Sequence, residues 1–152
     1  MKFIKISMIL TILFSLFGCA NTMHSLQRTS ETFNNTKDEI WPIIISEIGI
    51  EYPIQVIEKE SGLISTQGVN IEGSFDNFVN PTKCMLNRRE MINVRMGISV
   101  FEIQPEKTKV MIKTHYMAYE LYFMEQFPKW RVAHTNGRLE NRILNNIEQK
   151  LR

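Results

Sequence analysis

Every second residue from 92 to 100 is apolar. Ile92, Val94, Met96, Ile98 and Val100 fall on one side of an extended chain, and Asn93, Arg95, Gly97 and Ser99 on the other. That alternation predicts a strand with one dry and one wet face, the arrangement of an antiparallel sheet, and it excludes an all-helical fold. The run reaches Ile103, with a slip of phase at Val100-Phe101 that predicts a bulge or the strand end. Pro105-Glu106-Lys107 turns the chain, and 108–116 returns with Val110, Ile112, Thr114 and Tyr116 on one side. The predicted centre of the fold is this hairpin.

A half-dry sheet needs a cover, and two amphipathic segments supply it. Thr36-Lys37-Asp38-Glu39 fits a capping box, followed by Ile40, Trp41, Ile44, Ile45 and Ile48 at helical spacing. A helix is predicted over 37–48, stopping at Gly49. Pro42 means either a later start near Asp38 or Glu39, or a bend. Near the other end, Leu139, Ile143, Ile147 and Leu151 recur every four residues, with Leu144 widening the stripe and Thr135-Asn136-Gly137 offering cap residues.

Two β-rich runs, 53–58 and 63–71, flank turn chemistry at Lys59-Glu60-Ser61-Gly62, although the second run has no clean inward face. The stretch 72–90 is long and irregular, and carries Phe75, Phe78, Val79, Lys83, Arg88 and Arg89. The aromatic-rich 118–133 is broken by Pro128 and predicts a strand continuation, a loop and a short edge strand at 130–133. The predicted fold class is α+β: an antiparallel sheet of four to five strands with an N-terminal and a C-terminal helix on one face, in the order α-β-β-β-β-(β)-α.

The first 19 residues have a different character. Lys2 and Lys5 precede an apolar run over 6–17, interrupted only by Ser7, Thr11 and Ser15. This is signal-peptide patterning, and a dozen residues fall short of the roughly 20 that span a bilayer. The run ends in Leu16-Phe17-Gly18-Cys19, which resembles a bacterial lipoprotein signal with its lipobox. The resemblance implies cleavage before Cys19, lipid attachment at its sulfur and acylation of its amine. Ala20 follows where an Asp would retain the protein at the inner membrane. The resemblance therefore implies an outer-membrane lipoprotein anchored by acyl chains; the expected side is the periplasm, although the sequence leaves the cell exterior open. The expected organisation is a signal peptide over 1–18, a lipidated Cys19 and flexible tether over 19–35, and one domain over 36–152.

Processing changes the charge. Residues 1–18 hold two Lys and no acidic residue, so the 18 Lys and Arg fall to 16 and balance the 16 Asp and Glu. No electrostatic footprint for nucleic acid remains. With Cys19 lipidated, Cys84 is left without a disulfide partner in the chain.

Glu39-Ile40-Trp41, the 60–66 stretch Glu60-Ser61-Gly62-Leu63-Ile64-Ser65-Thr66, and Gly137-Arg138-Leu139-Glu140 resemble the helix-grip-like domains of small envelope lipoproteins, including the C component of the barrel-assembly machinery. The resemblance implies a fold and carries no catalytic motif.

Residues capable of chemistry are scattered. Cys84 needs a His beside it to act as a nucleophile, and neither His115 nor His134 adjoins it in sequence. His24, His115 and His134 form no metal-binding spacing, and the glycines stand singly, so no cofactor is expected. Glu58 and Glu60 read as turn carboxylates. Arg88-Arg89 reads as a solvated basic turn, or as a contact for phosphate headgroups or an acidic partner. Tyr119, Tyr122, Phe123, Phe127 and Trp130 read as a core rim or as a binding platform. The expected function is that of a non-catalytic interaction or accessory subunit of the envelope, docking on another envelope protein through 72–90 and 119–130. The alternatives are a module binding lipid, glycan or a small molecule between sheet and helices, and a hydrolase using Cys84.

Overall fold

The alternation over 92–100 lies in the middle of a strand that runs well beyond it at both ends. The structure, a computed structural model, describes residues 28–73, 75–80, 88–122 and 125–152. In chain order its elements are β1 (Ser30–Phe33), α1 (Lys37–Gly49), β2 (Ile54–Glu58), β3 (Leu63–Thr66), β4 (Val69–Ile71), a single 3-10 turn (Phe75–Asn77), β5 (Arg88–Gln104), β6 (Lys107–Leu121), β7 (Lys129–Ala133) and α2 (Arg138–Lys150). The strands form one antiparallel sheet in the order β1-β6-β5-β3-β2, with β4 also on β5 and β7 also on β6.

The hairpin β5–β6 is the spine, paired from Arg88 opposite Leu121 to Gln104 opposite Lys107 with a shift of register near each end. Ile92, Val94, Met96, Ile98 and Val100 are buried, as are Val110, Ile112, Tyr116 and Ala118 across from them. Beyond Val100 the strand leaves the core, and Phe101 to Gln104 are exposed. The irregularity expected at Val100-Phe101 lies instead between Glu102 and Gln104. The phase slip marks where burial ends, and pairing continues past it.

Both helices cover one face. In α1 the Thr36 hydroxyl accepts from Glu39 N (3.3 Å) while Thr36 N donates to the Glu39 carboxylate (3.0 Å), completing the capping box. The helix therefore starts at Lys37 and runs through Pro42, whose side chain faces solvent. Ile40, Trp41, Ile44 and Ile48 are buried against the sheet, each contributing roughly 1.5–3 kcal/mol. Gly49 is the last helical residue, followed by Ile50 in an ordinary right-handed conformation, so it ends the helix without a left-handed cap. α2 buries Leu139, Ile143, Leu144 and Ile147. Glu47 joins the two helices by accepting from Asn146 Nδ2 (2.5 Å) and Lys150 Nζ (2.8 Å).

The sheet has seven strands where four to five are expected, for two reasons. Residues 30–33, assigned to the flexible tether over 19–35, form β1 along β6, with Phe33 buried and Ser30 opposite Met111. A four-residue strand with one buried side chain gives too little periodicity to register in sequence. The run 63–71 divides into β3 and β4 on the same neighbour. Leu63 faces Ser99 and Ser65 faces Gly97, but Val69 faces Val94 and Ile71 faces Ile92. One extra residue at Gln67-Gly68 changes the parity. Ile64 and Thr66 point inward before it, and Val69 and Ile71 pack on the core after it. The Thr66 hydroxyl accepts from Met96 N (3.0 Å) at the break. The Lys59–Gly62 turn requires glycine at its end: Gly62 has φ 71°, and a Cβ there would lie 1.9 Å from the Val100 carbonyl oxygen.

Candidate docking site

The irregular stretch and the aromatic stretch meet at one end of the sheet. Val79 pairs with Thr135 as an isolated bridge; Asn80 N donates to the His134 carbonyl (3.0 Å) and Asn136 N to the Phe78 carbonyl (3.2 Å). The side chains of Asn80 and Asn136 donate to the carbonyls of Thr135 (3.1 Å) and Val79 (3.3 Å). The segment is thus stitched to the approach to α2.

Arg88 and Arg89 are not in a turn. They open β5, and their side chains part. Arg88 is exposed, 3.7 Å from Glu90. Arg89 points to the helix side, where Nε donates to Glu120 (2.6 Å) and a terminal nitrogen to the Asn80 carbonyl (3.1 Å). Its side chain is 9% exposed and that of Glu120 5%, so Arg89 is spent inside the protein and unavailable to a headgroup. Beside this pair, the Arg131 guanidinium lies 4.2 Å over the Tyr122 ring and bonds Glu125 (2.5 Å), whose carboxylate also accepts from Tyr122 N (3.3 Å). The bond from Arg131 holds the Glu125 carboxyl below its usual range. Burial, then the charge of Glu120, push the Tyr122 hydroxyl up.

Exposed apolar groups lie at the same end of the sheet, on the opposite face of the strands. Trp130 stands opposite Tyr119 and Val132 opposite Met117, on the sheet face turned away from the helices. The Tyr119 and Trp130 rings are 5.3 Å apart at their centres. Trp130 is 45% exposed, Phe127 72% and Val132 73%. Of the two readings offered for the aromatic stretch, a core rim does not describe residues this exposed.

Other sequence candidates lie elsewhere. His115 is exposed in the middle of β6, opposite Arg95, and His134 follows β7. Cys19, His24, Lys83, Cys84 and Phe123 lie outside the described residues. Glu58 and Glu60 are exposed at the β2–β3 turn, where Glu58 accepts from Ser61 Oγ (3.0 Å). Among the described residues, no three His, Cys, Asp or Glu gather as metal ligands. The space between sheet and helices is filled by the core, with Ile44, Ile92, Val94, Leu144 and Ile147 at 0% exposure, which disfavours a ligand there.

One buried group was not among the candidates. Glu140, in the first turn of α2, is fully buried. Its carboxylate accepts from Thr135 Oγ1 (2.9 and 3.1 Å) and from Thr114 Oγ1. The Tyr116 hydroxyl is buried nearby without a hydrogen bond of ordinary geometry, and burial followed by the Glu140 charge push its ionisation up. In sequence Glu140 looks like any acidic residue of a helix's first turn, yet it stands three, four and seven residues before Ile143, Leu144 and Ile147, on the stripe that faces the sheet.

No protein-family model matches this chain, and no curated protein matches it in sequence.

Proposed function

We propose that this is a membrane-anchored, non-catalytic accessory subunit of the cell envelope, held to the outer membrane by acyl chains on Cys19, facing the periplasm, and docked on another envelope protein at the Trp130 end of its sheet. The observation that carries the docking is the exposed pair Trp130 and Val132, with exposed Phe127 in the turn before them, at the end of the sheet that Arg89–Glu120 and Arg131–Glu125 hold from the other face. Rigid aromatic side chains give large contact area at small entropic cost, and Trp, Tyr and Arg dominate binding hot spots. The partner that fits is a protein with an apolar cleft. The anchor rests on the lipobox-like Leu16-Phe17-Gly18-Cys19, and the helix-grip resemblance agrees with the sheet-and-helix layering.

The test is a crosslinked pull-down from detergent-solubilised envelopes, comparing the unaltered chain with Trp130→Asp and Cys19→Ala. A defined partner lost with Trp130→Asp and depleted with Cys19→Ala is the expected result. The same partner recovered from Trp130→Asp would remove the aromatic end from the account. Unchanged membrane retention of Cys19→Ala would remove the anchor.

A further inference from the structure

The sheet face turned away from the helices has a second feature, separate from the aromatic end. Gly97 lies mid-way along β5, and a Cβ there would meet nothing within 4 Å. The missing side chain leaves a trough of about 320 Å³ across the strands, within the size range of small-ligand sites. Val56 and Leu63, 40% and 46% exposed, form its apolar wall. Ser65 and Ser99 line the middle, and Lys113 and His115 close the β6 end. Arg95 stands directly across from His115. None of Arg95, Lys113 and His115 forms an ion pair with a described residue.

The trough is polarised. Val56, Ser65, Gly97 and Lys113 make one row across four strands, which at about 4.8 Å per strand separates its ends by about 14 Å. Glu58, the acidic residue of the lining, lies at the β2 end with its carboxylate held by Ser61. Negative charge is repelled at that end and attracted at the other.

We propose that the trough over Gly97 binds an amphipathic phosphate: a phosphate head at Lys113 and His115 on an apolar stem lying over Leu63 and Val56. Charge-assisted hydrogen bonds hold the head, and the apolar wall adds affinity that a bare ion lacks. The head group can belong to a membrane lipid or to a soluble phosphate ester, because the chemistry recognised is the same. This site goes beyond the docking role and does not depend on it.

The imidazole resonances of the full-length chain in uncharged detergent micelles provide the test, since His115 lines the trough and, among the described residues, His134 does not. Hexyl phosphate should shift His115 saturably, and about tenfold more tightly than inorganic phosphate. Gly97→Leu, which fills the trough, should abolish the shift, and Lys113→Gln should weaken binding about tenfold. Lys113 is exposed, so that variant keeps the test valid if the other one misfolds. In phosphatidylcholine nanodiscs carrying phosphatidylglycerol, a shift absent from phosphatidylcholine alone identifies a lipid as the source. Its absence there, with hexyl phosphate still binding, identifies a soluble ester. No saturable shift with hexyl phosphate, equal affinity for inorganic phosphate, or full binding by a folded Gly97→Leu chain would each overturn the proposal.

Discussion

Two carboxylates are buried along β6, and the protein treats them in opposite ways. At the aromatic end, Glu120 is neutralised by Arg89. Under α2, Glu140 has no Lys or Arg partner among the ion pairs of the described residues, and rests on the hydroxyls of Thr114 and Thr135 with Tyr116 beside it. The first arrangement ties the start of β5 to the end of β6 and fixes the platform under Trp130. The second locks the start of α2 onto the sheet, where the helix dipole also favours a negative group. A charge paired with a charge is costly to break from one side only. A carboxylate held by hydroxyls loses less when it is removed.

Arg89→Ala, which leaves Glu120 buried and uncompensated, should cost about 3–5 kcal/mol in chemical denaturation. The double variant Arg89→Met with Glu120→Leu should recover most of that loss. Failure of the rescue would mean that Arg89 matters mainly through its bond to the Asn80 carbonyl. The next effect belongs to the hydroxyl-rich end. Burial pushes Tyr52, a neighbour of Tyr116, up to about 12 from an ordinary value of 10. The unfolded chain therefore releases this proton first, and stability is lost as pH rises from 10 towards 12, by roughly 2–3 kcal/mol in all. Denaturation midpoints for Tyr52→Phe should fall less steeply over that window, and an identical slope would exclude this residue as the cause.

Glu140→Ala should cost about 1–3 kcal/mol by orphaning two hydroxyls, and Glu140→Gln less, because an acceptor remains. If Glu140→Ala proves as damaging as Arg89→Ala, the contrast between the two ends is wrong. Thr36→Ala, at a cap remote from both, should lower stability by about 1 kcal/mol. Trp130→Asp should lower stability by about 1 kcal/mol or less while removing the partner. A large destabilisation would make Trp130 structural.

What could be read in the sequence was whatever repeats. The alternation over 92–100, the four-residue stripe of α2 and the Thr36–Glu39 box each report several residues acting together, and each lies where expected. β1 escaped because four residues with one buried side chain do not make a period. The two stretches named for docking were visible as compositional oddities, but their meeting was not, since it depends on the β5–β6 pairing running on to Arg89 opposite Glu120. The adjacent residues Arg88 and Arg89 look equivalent on paper. Their opposite environments follow from strand parity and from the irregularity between Arg89 and Met91. The trough over Gly97 was equally silent, because it is made by a side chain that is not there.

The extra residue at Gln67-Gly68 makes chain length, more than the identity of residue 67, the quantity the fold constrains at that corner. Many replacements at Gln67, an exposed position, leave Val69 and Ile71 on the core. Removing one residue there would bring Asn70 to the inside and turn the two apolar side chains to water. Variation among descendants of this gene should therefore show substitutions at 67 and an almost complete absence of insertions and deletions between Thr66 and Val69.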